Sequence, residues 1–153
     1  LNRLGIMNIV AATLDSTEAQ SIETSILYLD LDGFKKINDE NGHATGDQVL
    51  VSFSNMITAM LRNSDAVARM GGDEFLVFMP DTNEASASLI AERIIEKLRV
   101  YTAQNKAYAG LGVSIGIATN TSLTTESLDQ LLSRADLAMY AAKSAGKNCY
   151  KFG

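Results

Sequence analysis

Leu4, Ile6, Ile9, Val10 and Leu14 recur at roughly helical spacing, so residues 2–14 are predicted to form a helix. A polar stretch, Asp15 to Thr24, follows it. Ser25–Asp32 (SILYLDLD) then reads as a strand that ends in carboxylates, and its continuous apolar run suits a central strand covered on both faces. Val49, Leu50, Phe53, Met56, Ile57, Met60 and Leu61 keep one apolar stripe, which predicts a helix over about 45–61. Ala66–Met70 and Phe75–Met79 flank Gly71-Gly72-Asp73-Glu74 and predict a hairpin with a glycine turn. After Pro80, Asp81 stands three positions before Glu84, the spacing of a capping box. That box should open a helix to about Arg99, with Leu89, Ile90, Ile94, Ile95 and Leu98 on one side. Gly112–Thr119 reads as a strand in which Val113, Ile115 and Ile117 alternate. Leu128, Leu131, Leu132, Ala135 and Met139 predict a last helix over about 125–145, ended by Gly146. Cys149–Phe152 is expected to add a short strand.

Strands and helices alternate, but the middle pair of strands is an antiparallel hairpin. The order therefore predicts an α+β fold: a mixed, mostly antiparallel central sheet flanked by helices, akin to ferredoxin-like palms. With 153 residues, one proline and no Gly/Ser linker or repeat, residues 1–153 are expected to be a single domain.

Composition narrows the function classes. Hydrophobic residues make up 46% and charged residues 20%, enough for a core and against disorder. No apolar run approaches the ~18–20 residues of a membrane span, so no membrane contact is expected within the chain. The single cysteine, Cys149, and single histidine, His43, exclude an internal disulfide and a Cys- or His-rich metal cage. The net charge of −5 argues against binding a nucleic-acid polymer along its backbone. A cytoplasmic domain is expected, and any anionic ligand should be small, held by a few cations or a metal.

Two features carry chemistry. The hairpin turn sets Asp73 and Glu74 beside two glycines, whose freedom allows a tight turn and close approach of a ligand. Asp30 and Asp32 end the central strand, and alternation puts both on one face. A carboxylate there is costly unless it is paired or bound to a metal. If the sheet sets this strand beside the hairpin, Asp30 and Asp73 converge with Glu74 close by. Oxygen-only clusters suit Mg²⁺, which takes one or two carboxylates and completes its shell with water and phosphate. A solvated turn and a capped strand end are the ordinary alternatives. Lys35 and Lys36 follow the strand, and Lys143 and Lys147, four apart, should share a side of the last helix. Those two lysines either complement the helix dipole or clamp phosphate.

Taken together, these residues resemble the GGDEF family of diguanylate cyclases. The loop Gly71-Gly72-Asp73-Glu74-Phe75 is the family's signature, preceded by Asp30-Leu31-Asp32-Gly33-Phe34-Lys35-Lys36-Ile37-Asn38-Asp39 and by Gly42-His43-Ala44-Thr45-Gly46-Asp47. Ser114–Ala118 and Ala135–Asn148 continue the likeness, and Leu1-Asn2-Arg3 is similar to the end of the family's opening motif. The resemblance implies a domain cut from a longer protein with an N-terminal sensor region, through which that protein could be anchored to a membrane.

The same resemblance implies the activity. Two GTP molecules condense to cyclic dimeric GMP (c-di-GMP) with loss of two pyrophosphates, each held by one domain of a homodimer. Asp30, Asp73 and the backbone carbonyl of Leu31 would ligate Mg²⁺, with Mn²⁺ as an alternative. Glu74 would assist the metal or take the proton of the attacking hydroxyl, which makes Asp73 and Glu74 the catalytic pair. Lys143 and Lys147 would hold the terminal phosphates. Gly33, Phe34, Lys35 and Gly71 would add to the GTP cradle. Asn38 and Asp47 would read guanine, whose N1–H and N2–H₂ are neighbouring donors that one carboxylate can accept. Turn formation and helix capping are the ordinary roles for those two, and His43 is expected to be a loop hydrogen-bonder.

Arg62-Asn63-Ser64-Asp65, with Arg62 nine positions before Gly71, matches the family's RxxD motif for inhibition by the product, and Arg93 matches a further arginine of that site. An ordinary surface ion pair is the alternative. One departure is Lys147, where arginine is common in the family; lysine brings charge without a bidentate fork. Three other readings compete less well: a module that binds nucleotide without turnover, although no signature carboxylate is lost; a cyclase using ATP, against which Asn38 and Asp47 argue; and a structural domain of the same fold, which would not need two strand-end aspartates beside a Gly-Gly-Asp-Glu turn.

Overall fold

The computed structural model describes residues 1–15, 22–121 and 126–153. Five strands form one sheet: β1 (Thr24–Asp32), β2 (Ala66–Gly71), β3 (Glu74–Met79), β4 (Gly112–Asn120) and β5 (Tyr150–Phe152). Their order is β2-β3-β1-β4-β5. β1 lies between β3 and β4, antiparallel to both, and β5 joins β4 in parallel. The sheet is therefore mixed and mostly antiparallel, as the chain order predicts.

Alternation along β1 divides the core. Leu27, Leu29 and Leu31 face helices α2 (Phe34–Asn41), α3 (His43–Thr58) and α4 (Glu84–Thr102), where they meet Phe53, Ile57, Ile94 and Leu98. Ile26, with Leu76 and Phe78 of β3, faces α1 (Arg3–Asp15) and α5 (Leu128–Ser144) through Ile6, Val10, Leu131 and Ala135. Each such buried side chain contributes ~1.5–3 kcal/mol. Gly116 of β4 lets α5 lie close: a Cβ there would overlap the Ala135 carbonyl and the Met139 amide. Among the described residues no helix is long and apolar enough to cross a membrane.

Several boundaries differ from expectation. Phe34–Asn41 forms α2, which the apolar pattern does not announce because only Phe34 and Ile37 of its eight residues are buried. The next helix begins at His43 rather than near 45 and ends at Thr58. His43 thus opens a helix on an exposed surface instead of bonding within a loop. Asp81 and Glu84 form no capping box; Asp81 has φ 48°, and α4 is capped by Asn83, whose Oδ1 accepts from the Ser86 amide at 2.8 Å. Thr102 rather than Arg99 ends that helix, and a 3₁₀ turn follows at Lys106–Tyr108. A capping box does open α5, between Ser127 and Gln130. The polar stretch after Asp15 and the expected start of the last helix near 125 fall largely outside the described residues.

Candidate active site

The hairpin of β2 and β3 is built to hold a narrow turn. Gly71 pairs with Glu74 across it, and Gly72 at φ 53° occupies a conformation that L side chains rarely adopt. Two bonds fix the turn's carbonyls. Arg69 Nε donates to the Gly72 carbonyl at 2.8 Å, and the Leu31 amide donates to the Asp73 carbonyl at 3.2 Å. The second bond ties the turn to the end of β1.

That register brings the acids together. Asp30 stands directly opposite Glu74, on the face of the sheet that carries α5. Burial and the facing Asp73 carboxylate push the Asp30 pKa up to about 6, against the pull of Lys143. Tyr28, two residues earlier on the same face, donates its hydroxyl to Glu74 Oε2 at 3.1 Å. Burial and the Glu74 charge push that phenol up to about 12, so it stays a donor.

Lys143 reaches in from the last turn of α5. Its Nζ lies 3.1 Å from Asp32 Oδ1 and 3.4 Å from Asp30 Oδ2. Burial works against this ammonium, but Asp32 and Asp30 outweigh it and hold its pKa above the ordinary lysine value. Lys147 does not share a side of that helix with it. The helix ends at Ser144, and Lys147 and Asn148 turn away with φ 65° and 47°. Four-residue spacing has no meaning beyond the helix end.

The two aspartates of β1 differ. Asp32 is only 4% exposed and both its oxygens are taken: by the Ser114 hydroxyl at 2.8 and 3.0 Å, Lys143 at 3.1 Å and the Asn148 amide at 2.8 Å. Asp30 is more open and is crowded by another carboxylate. A divalent cation between Asp30 and Asp73 would relieve that crowding, so these residues fit Mg²⁺. No cluster of three or more His, Cys, Asp or Glu side chains that could hold a metal occurs among the described residues. The remaining positions around such an ion would fall to water, the Leu31 carbonyl and phosphate.

A second corner lies where α2 meets α3. Gly33 opens α2 at φ 76°, and a Cβ there would stand 2.6 Å from the Gly110 carbonyl oxygen. Phe34 is buried while Lys35 and Lys36 point to solvent. Asn38 turns its Oδ1 inward, buried and without a hydrogen-bond partner. Gly46 makes room for it, since a Cβ on Gly46 would overlap the Asn38 amide. Asp47 follows on the exposed side of α3. The corner thus holds an acceptor lacking a donor, next to an exposed carboxylate.

The RxxD motif lies at the far end of the sheet. Arg62 binds Asp65 through Nε at 3.3 Å and Nη2 at 3.0 Å, and Nη2 also donates to the Pro80 carbonyl and the Thr82 hydroxyl. The Asp65 side chain is only 4% exposed. Arg93 of α4 shares a cavity of about 300 Å³ with Arg62, Asp65 and Asp81.

Comparison with known proteins gives the class. The family model described as "Diguanylate cyclase, GGDEF domain" matches residues 1–149, and the chain belongs to that family. The diguanylate cyclase DgcS of Shewanella oneidensis is 39% identical over 127 residues, 83% of this chain and 41% of that protein. The GGDEF domain of YfiN (TpbB) from Pseudomonas aeruginosa superimposes with a TM-score of 0.85 at 35% identity, covering 100% of this chain and 96% of that one. The GGDEF domain of DgcB from Caulobacter crescentus, solved in complex with c-di-GMP, gives 0.89 at 28% identity, covering 99% and 90%. The chain spans less than half the length of the curated relatives it matches.

Proposed function

We propose that residues 1–153 form one catalytic unit, a diguanylate cyclase domain that joins two GTP molecules into c-di-GMP and releases two pyrophosphates. The observation that carries this reading is the convergence of Asp30 and Asp73 beside Glu74, with Lys143 reaching over them. The relatives named diguanylate cyclase support the same reaction. A cytoplasmic setting, where GTP is available, fits this reading.

Asp30, Asp73 and the Leu31 carbonyl would hold Mg²⁺, or Mn²⁺ in its place, with Glu74 in reach. Once bound, such an ion neutralises charge on the reacting phosphate and aligns its oxygens. The chain's own residues do the rest. Glu74, held by Tyr28, accepts the proton of the attacking 3′-hydroxyl. Lys143 and Lys147 offset the charge of the terminal phosphates. Gly33, Phe34 and Gly71 present backbone close to the phosphates, with Lys35 beside them. Asn38 accepts from a guanine donor with the oxygen that now lacks one, and Asp47 accepts from the neighbouring donors. Adenine presents an acceptor at N1, which sets GTP apart from ATP.

Each domain supplies half of the reacting pair, so two copies must face each other, and their pairing is worth a large part of the barrier. Arg62, Asp65 and Arg93 are proposed to bind c-di-GMP as an inhibitor. The cavity they share, and a relative of the same fold solved with c-di-GMP, support that assignment.

The test is incubation of the concentrated domain with GTP and Mg²⁺, followed by chromatography for c-di-GMP, with Asp73→Asn and Glu74→Gln alongside. Product from the wild type alone is expected. Its absence even after fusion to a dimerising segment would refute the reading, and turnover by both variants would refute the assigned roles.

A further inference from the structure

Asp32 lies two residues from a proposed metal-binding carboxylate, yet its surroundings give it different work. It is buried, and its carboxylate is saturated by groups from three other parts of the chain. Ser114 comes from β4, Lys143 from α5, and the Asn148 amide from the segment after that helix. Neither oxygen is left for a metal. Lys143 is its closest cationic partner, at 3.1 Å against 3.4 Å to Asp30.

The bond to the Asn148 amide adds to this. Lys147 and Asn148 both have positive φ, a conformation that side-chain-bearing residues rarely hold without outside support. Here the support is visible. The Asn148 amide is anchored on Asp32 at 2.8 Å, its Oδ1 accepts from the Val113 amide at 3.4 Å, and the Lys147 amide closes on the Ala142 carbonyl at 3.1 Å. One buried carboxylate thus orients the ammonium of Lys143 and fixes the peptide that follows Lys147.

We propose that Asp32 is a positioning residue for triphosphate binding. Its carboxylate aims Lys143, and through the Asn148 amide the Lys147 backbone, at the terminal phosphates of the nucleotide. This rests on the GTP reading above and deepens it. Asp32, itself held by Ser114 and the Asn148 amide, is the fixed partner that keeps Lys143 in place. The Ser114 hydroxyl in turn keeps the carboxylate from rotating.

The experiment compares GTP with GMP, which lacks the terminal phosphates, by equilibrium binding to the whole domain in Mg²⁺. Wild type is expected to prefer GTP. Asp32→Asn keeps the shape but loses the charge, and is expected to lose at least tenfold of that preference while GMP affinity stays within twofold. A destabilised fold would weaken both ligands alike, and that result overturns the proposal, as does an unchanged GTP/GMP ratio. Ser114→Ala provides a milder route should Asp32→Asn fail to fold. A severalfold fall in the ratio is expected from it, and an unchanged ratio again overturns the proposal. If wild type itself does not prefer GTP over GMP, the phosphate-clamp reading beneath the proposal is what has failed.

Discussion

The Tyr28 hydroxyl donates to Glu74 Oε2 across the β1–β3 pair, from a site two residues before Asp30 on the same face of the sheet. The bond fixes one rotamer of a carboxylate at the mouth of the glycine turn. Tyr28→Phe removes it and little else. A fall in kcat of roughly 3–10-fold is expected, with KM for GTP nearly unchanged and a stability loss of about 1 kcal/mol. Steady-state rates and thermal melts read these separately, and an unchanged kcat would reduce Tyr28 to packing.

Asp30→Asn tests the crowding of carboxylates. Without metal, the half-buried Asp30 carboxylate faces Asp73, while Lys143 keeps its nearer partner Asp32. Replacing the acid by an amide should stabilise the metal-free domain by about 1 kcal/mol, a rise of ~2–4 °C in Tm. The same change should cut turnover roughly 100-fold or more. Melts in chelator and rates in Mg²⁺ check the pair, and a lower Tm would show that the crowding is already relieved.

Gly46→Ala tests the corner proposed to read the base without substituting its polar groups. The added methyl would displace the Asn38 amide, since nothing else can yield as readily. About a tenfold rise in KM for GTP is expected, with narrowed discrimination against ATP and a stability loss of ~1–3 kcal/mol. Competition between the two nucleotides gives the answer. Unaltered discrimination would place guanine recognition elsewhere.

Arg62→Ala should relieve inhibition by c-di-GMP, because it removes both the guanidinium and its hold on the Pro80–Thr82 turn. Arg62 is half-exposed but its partner Asp65 is only 4% exposed, so leaving that carboxylate without the guanidinium should cost about 1–3 kcal/mol of stability. Progress curves with added c-di-GMP measure the change. The same inhibition constant in both proteins would return Arg62 to a purely local role.

What the chain reveals before folding follows from physics of short range. The strand ending in Asp30 and Asp32, the glycine turn and the stripes of α3 and α4 are all legible, because each is a local pattern of period 2 or 3.6. Helix α2 is not, since only two of its eight residues, Phe34 and Ile37, are buried apolar ones. The α4 cap is not legible either, because Asp81 and Asn83 are chemically alike and only backbone angles separate them. The grouping of Asp73 with Asp30 could be anticipated from strand pairing. The different fate of Asp32 could not, because its partners Ser114, Lys143 and Asn148 lie more than 80 positions away.

Alternation along β1 has one more consequence. Its leucines fill one core while its aspartates meet α5 on the opposite face. A slip of a single residue would drive both acids in among Phe53 and Val77 and turn Leu29 and Leu31 toward Lys143. Such a slipped chain would lose its core and its reactive centre in the same step. A slipped form that keeps the acid cluster while losing the core is thereby excluded, because one register sets both.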